Sequence, residues 1–187
     1  MYSGGFNAEY GSRNSAVMDV RTRAGNRQRL AGKVSASTYT SKLLLEAPLG
    51  AKDRRGLASS SFLISAKTSY LDQSSQLFYP YVETEFDGLP FNFTDLYAKF
   101  TSQSENGSQF NVFGFSFDDG VRYGSSNSID WDSQGAGFNF TVLPSASKVL
   151  LSGDVSYSVY DIKSIEGSLI RESLITGFNG GLDFTYF

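Results

Sequence analysis

Few side chains in this sequence could do chemistry. Three carboxylate pairs stand close together: Asp118 with Asp119, Asp130 with Asp132, and Glu83 with Glu85. Such pairs can share protons in acid–base work or hold a hard cation. Period two would put Asp130 and Asp132 on one face of a strand, yet both flank a loop, where solvated charges are the simpler reading. Cysteine and histidine are both absent, which removes the thiolate and imidazole that supply most zinc sites, nucleophile pairs and near-neutral bases. Gly4-Gly5 lacks the Gly-Lys-Ser/Thr of a phosphate loop. The expectation is a protein that is not an enzyme, with no catalytic residue, metal or cofactor. Aromatic surface is plentiful instead: 16 Phe and 11 Tyr in 187 residues. Phe78, Tyr79, Tyr81, Phe86 and Phe91 fall in one long link, residues 72–95, and offer stacking surfaces to a ligand. Stacking suits sugars, aromatic siderophores and peptides alike, and the same rings could instead pack the link against its neighbours.

The elements that would carry these residues follow from patterning. Hydrophobic residues make up 40% of the chain and charged ones 19%, with a mean hydropathy of -0.23. Many rings with unremarkable hydropathy fit strands that have one apolar and one polar face. No stretch approaches the roughly 20 apolar residues of a spanning helix. A net charge of -3 gives no electrostatic reason to expect nucleic acid. Six segments alternate with period two. Their apolar positions are Phe62, Ile64 and Ala66; Leu96, Ala98 and Phe100; Phe113, Phe115 and Phe117; Ala136, Phe138, Phe140 and Val142; Val149, Leu151, Val155, Tyr157 and Val159; and Phe178, Leu182, Phe184 and Tyr186. No convincing helix interrupts them. Brief polar turns at 51–56, 104–108 and 145–147 alternate with longer links at 72–95 and 161–172, the rhythm of an outer-membrane barrel. Tyr70, Tyr123, Trp131, Tyr160 and Tyr186, near strand ends, could form interfacial girdles. Phe115 would then face lipid and Ser116 the other side.

The first third carries a resemblance. Gly4-Gly5-Phe6-Asn7-Ala8-Glu9-Tyr10-Gly11-Ser12-Arg13 leads into the apolar stretch around Val17 to Val20 and reaches Gly25-Asn26. It resembles the C-terminal part of the plug domain of TonB-dependent receptors. Ser41-Lys42-Leu43-Leu44-Leu45-Glu46-Ala47-Pro48-Leu49 is similar to an early barrel strand of that family and its exit. Asn7 stands where proline is frequent, and Ala47 where glycine is. The resemblance implies an all-β fold, an antiparallel up-and-down transmembrane β-barrel represented by about eight strands and preceded by the end of a plug. Residues 1–28 would be plug and 29–187 barrel. Gly4, Gly5, Phe6, Glu9, Tyr10, Gly11 and Arg13 would form the plug motif, with Arg13 pairing to carboxylates inside the barrel.

The implied activity is binding of a scarce nutrient, a siderophore, glycan or similar, and its import across the bacterial outer membrane. The implied partners are outer-membrane lipid, a TonB-type energy-coupling protein acting through an earlier part of the plug, a surface lipoprotein, and a small-molecule, glycan or peptide ligand. The opening residues have no secretory signal, so an exported protein would begin earlier. One register question arises. Val34 and Ala36 hold even apolar parity, whereas Leu43 and Leu45 hold odd parity; a single strand cannot switch faces, which predicts a tight turn near residues 39–41 and two short first strands. Two rivals remain: a complete eight-stranded outer-membrane barrel, favoured by the aromatic ending Phe184-Thr185-Tyr186-Phe187, and a soluble carbohydrate-binding β-sandwich whose alternating rings form a core.

Overall fold

The computed structural model describes residues 2–3, 16–17, 20–79, 89–124, 126–144 and 148–187. A two-residue pair, β1 (Tyr2–Ser3) with β2 (Ala16–Val17), comes first. Then follow β3 (Ala31–Ala36), β4 (Thr40–Lys52), β5 (Ala58–Ser69), one helix α1 (Leu71–Phe78), β6 (Phe91–Gln103), β7 (Gln109–Tyr123), β8 (Asn127–Val142), β9 (Val149–Glu166) and β10 (Leu169–Tyr186). Strands β3 to β10 make one eight-stranded antiparallel sheet in which each strand pairs only with its sequence neighbours. The sheet does not close: β3 and β10 are its two edges.

The turns are written in the sequence. Ser37 Oγ accepts the backbone N–H groups of Tyr39 and Thr40, at 3.2 and 3.0 Å, and reverses the chain between β3 and β4. This reversal pairs Val34 with Leu43, so both parities arrive on one face, as the register argument requires. Asp53 Oδ1 accepts the N–H groups of Arg55 and Leu57 at 2.8 and 2.9 Å. These bonds to the charged form, with that to Leu57 the largest influence, hold the Asp53 carboxyl below its ordinary range. Gly167, at φ +63°, makes the two-residue turn between β9 and β10 that a residue with a Cβ would strain.

Register assigns every strand residue to a face. Five of the six alternating segments put their apolar residues on the same side: Phe62 opposes Phe100, which opposes Val112, then Phe138, then Val155. The exception is β7. Phe113, Phe115 and Phe117 lie on the other side, beside Lys99, Tyr97 and Asp95, and Ser116 joins the apolar face. Alternation gives two faces for each strand but not which of them is shared; the neighbours decide. The phenyl rings fit because Gly137 and Gly135 stand opposite. A Cβ at Gly137 would come within 2.5 Å of the Phe113 ring, and one at Gly135 within 2.7 Å of the Phe115 ring and 2.9 Å of the Tyr157 carbonyl.

Other expectations also change. Residues 71–78 are helical and β6 already begins at Phe91, so the link 72–95 is not one open loop. Residues 161–172 are strand and a tight turn, with β9 running on to Glu166 and β10 starting at Leu169. The second strand of the sheet, β4, has 13 residues rather than being short; only β3, with six, is short. Tyr123, Trp131 and Tyr160 share a face with Phe117 rather than with the apolar row, and Tyr70 bonds through its hydroxyl to the Ser37 carbonyl; of the five girdle candidates only Tyr186, opposite Val149, is on the apolar face. Replacing Gly135 by Val should cost about 1 to 3 kcal/mol by overpacking, read as a lower midpoint in denaturant unfolding, with an unchanged midpoint removing the ring-on-glycine account.

Candidate binding site

One stretch of chain crosses the sheet. Residues 20–30 run over the face that carries Glu46, Tyr97, Lys99 and Gln103, here the strapped face; the opposite, apolar side is the bare face. Arg23 makes a two-point ion pair with Glu46, Nη1 to Oε2 at 2.5 Å and Nη2 to Oε1 at 3.2 Å. Planar guanidinium and carboxylate match in this geometry, which fixes direction as well as charge. Lys99 Nζ donates to the Thr22 carbonyl at 2.7 Å, and the Thr22 hydroxyl meets the Tyr97 hydroxyl at 2.5 Å. Arg27 donates from Nε to the Ala58 carbonyl at 2.7 Å and from Nη1 to Gln103 at 2.5 Å, while its own carbonyl accepts the Ala58 N–H at 2.9 Å. Between these anchors Gly25 is buried. A Cβ there would fall 2.1 Å from the Phe62 carbonyl oxygen, so only glycine lets the strap lie this close.

Beside the strap a polar row crosses four strands. Thr101, Asn111, Asn139 and Asp154 are direct neighbours on β6, β7, β8 and β9. Thr101 Oγ1 donates to Asn111 Oδ1 at 2.8 Å, Gln109 Nε2 donates to the same oxygen at 3.0 Å, and Asn111 Nδ2 donates to Asn139 Oδ1 at 2.8 Å. Asn179 Nδ2 donates to Asp154 Oδ2 at 2.8 Å and carries the row to β10. Thr101 and Asn111 are buried, and mutual bonding offsets their desolvation. Row, strap and rings together border a cavity of about 960 Å³, lined by Thr22, Tyr97, Asn111, Phe115, Asn139 and Asp154 among others. Its walls combine apolar ring surface, amides and carboxylates, the mixture expected where a ligand is held by burial and oriented by a few polar groups.

Comparison with protein-family models, curated proteins and solved structures finds no match. The geometry alone therefore bears on the site.

Among the residues expected to bind, Phe78 ends α1 half exposed, and Tyr79 meets Tyr39 hydroxyl to hydroxyl at 2.9 Å. Phe91 starts β6 and packs on Phe93 with ring centres 6.0 Å apart. These three are not gathered into one pocket. Tyr81 and Phe86 lie outside the described residues, as do Gly4, Gly5, Phe6, Glu9, Tyr10, Gly11 and Arg13, and the pair Glu83 and Glu85. Of the remaining carboxylates, Asp118 and Asp132 oppose one another on the bare face and Asp161 continues the row, while Asp119 lies on the strapped face. Among the described residues no group of three or more metal-ligating side chains gathers as a metal site. Sequence reasoning missed the strap anchors Arg23, Arg27, Glu46 and Lys99 and the amide row. Asn111 and Asn139, spaced among rings, were the available signal, since an amide in an otherwise apolar strand needs a partner.

Trypsin should report the strap directly. Replacing Gly25 by Val should lift residues 20–30 from the sheet and speed cleavage at Arg21, Arg23 and Arg27 at least several-fold, whereas Gln28→Ala should leave the digestion rate unchanged. Equal rates for the two variants would mean that the strap does not depend on that close approach.

Proposed function

We propose that this chain is part of a TonB-dependent outer-membrane receptor that binds a scarce nutrient and imports it across the bacterial outer membrane. In this reading β3 to β10 form a run of consecutive barrel strands, the bare face meets lipid, the strapped face lines the lumen, and the strap up to residue 28 is the last stretch of the plug. The carrying observation is the absence of an interior. Among the described residues only three hydrophobic ones, Ala47, Ala58 and Leu63, are buried, in a chain that is 40% hydrophobic. A soluble sandwich would hide its rings between two sheets; here there is one layer, and Phe178 and Phe184 remain 76% and 71% exposed. Exposed apolar area on this scale calls for a partner phase.

The dimensions support lipid as that phase. On β9 the bare-face row is apolar or small from Val149 to Val159. Ten steps of about 3.3 Å, tilted by about 40°, give a band of roughly 25 Å, the height of the apolar belt of transmembrane barrels. Above it the same face turns acidic, with Asp118, Asp132 and Asp161 side by side. The short turns near residues 53–57 and 104–108 lie at one end of the strands; at the other end the β5–β6 link carries the helix, and the connections after β3, β7 and β9 are tight turns. Eight strands would also suit a complete small barrel, but closure would set the six residues of β3 against the eighteen of β10, leaving most of an edge unpaired. The work so proposed is binding and gated passage, without bond chemistry.

Two measurements test it. Refolded from denaturant, the chain should need detergent micelles to gain β-sheet circular dichroism and stay in solution; cooperative folding as a monomer in plain buffer sinks the reading. In micelles or bilayers, Phe138→Arg on the bare face at mid-band should cost about 2 to 4 kcal/mol of folding free energy. Phe115→Arg on the strapped face should cost clearly less, and equal costs would remove the assignment of faces.

A further inference from the structure

The cavity beside the strap has unlike ends. On β6 it is bordered by Lys99, and on the far side by Asp154 of β9 and Asp183 of β10. Register places all three on the strapped face. Lys99 lies in the row Lys99, Phe113, Gly137, Ser156; Asp154 lies in the next row of that face, with Asn111 and Asn139; Asp183 lies in the one after, with Gln109, Thr141 and Ser152. The floor between the ends, Phe113, Asn111 and Asn139, is uncharged.

Neither end is neutralised within the described chain. Lys99 Nζ donates to the carbonyl and hydroxyl oxygens of Thr22, at 2.7 and 3.3 Å, and both acceptors are uncharged. Glu46 shares the row of Lys99 two strands away, but Arg23 engages both of its oxygens. Asp154 accepts from the Asn179 amide at 2.8 Å, and among the described residues no lysine or arginine pairs with it or with Asp183. Arg21, beside Thr22 on the strap, also borders the cavity. The Asn139 amide accepts from Asn111 through Oδ1, which leaves its Nδ2 donors for an occupant.

The separation of the charges selects the ligand. Three strands and two positions lie between Lys99 and Asp154, about 16 Å at about 4.8 Å per strand and 3.3 Å per residue. A single amino acid cannot meet both ends. An extended peptide advances about 3.3 to 3.6 Å per residue, so about five residues bridge the gap. We propose that the cavity binds a short extended peptide with free ends, its carboxylate at Lys99, its amino group at Asp154 and Asp183, and its middle on the Asn139 amide and the Phe113 and Phe115 rings. The proposal deepens the receptor reading by naming the class of imported ligand and rests on it for that meaning alone; the site belongs to the strapped face whatever covers the other. A neutral glycan could stack on the rings but leaves both charges unanswered. A simple cation or anion answers one end and meets its own sign at the other.

Calorimetric titration tests this on the folded chain, in a polyoxyethylene detergent if micelles are what fold it. The probes are the pentapeptide alanyl-phenylalanyl-alanyl-phenylalanyl-alanine, its N-acetylated form, its C-amidated form, and maltopentaose. Saturable binding of the free-ended peptide is expected, weakened at least about tenfold by either cap, since each removes a charge-assisted hydrogen bond. Joint replacement Asp154→Asn and Asp183→Asn should weaken the free-ended peptide as much as acetylation does and should not weaken the acetylated form further. Lys99→Met should stand in the same relation to amidation. Because Lys99→Met also removes the bond to Thr22, the aspartate variant decides wherever tryptic cleavage shows that the strap has loosened. No binding of the free-ended peptide, equal binding of the capped forms, binding of maltopentaose alone, or unchanged affinity in the aspartate variant overturns the site. Circular dichroism on the same samples keeps the two proposals apart. Folding in micelles without a titration overturns the peptide site and leaves the receptor reading; folding in plain buffer overturns the receptor reading, and the titration still decides the site.

Discussion

A sheet one layer thick has two faces and no inside, and everything else in this chain answers to that constraint. Backbone hydrogen bonds are satisfied sideways, strand to strand, from β3 to β10. Side chains cannot be hidden by the sheet itself. Each face must find its own covering, and alternation allows the two coverings to differ completely. On one side a strap of chain held by Arg23, Arg27 and Lys99 supplies polar partners. On the other side nothing in the described chain covers Phe138, Val155 or Phe178, and in the proposed reading lipid is the covering.

How much of this the sequence disclosed differs by element. Strand positions were legible, since period two is a local property. So was the hairpin between Val34 and Leu43, because a parity conflict has only one cheap remedy. The side occupied by Phe113, Phe115 and Phe117 was not legible: it depends on which neighbour each strand meets, and Gly135 and Gly137, twenty or more residues away, make room for the rings. Residues 161–172 were hidden for a related reason. Asp161, Lys163 and Glu166 read as a solvated loop, whereas they belong to the far end of β9, the first two on the bare face and Glu166 on the strapped face.

The site was read less well than the fold. Attention went to rings in the link between β5 and β6, which the structure disperses. The amide row of Asn111 and Asn139 emerges only through pairing across strands, and the strap through contacts between residues as far apart as Thr22 and Lys99. Single residues gave little hint of either. Gly25 is the instructive case: in sequence it is one more glycine near a turn, and in the structure it is the point where one backbone lies against another.

The strictly neighbour-to-neighbour pairing of β3 to β10 has a consequence for assembly. Every strand after the first finds its partner already laid down, and no segment has to be threaded between two others. Such a wall can grow by zipping hairpin after hairpin in the order of synthesis, with small loop-closure cost at each addition. A chain built this way can be handed to a surface progressively, with unpaired sheet backbone confined to the starting edge at β3 and the growing edge.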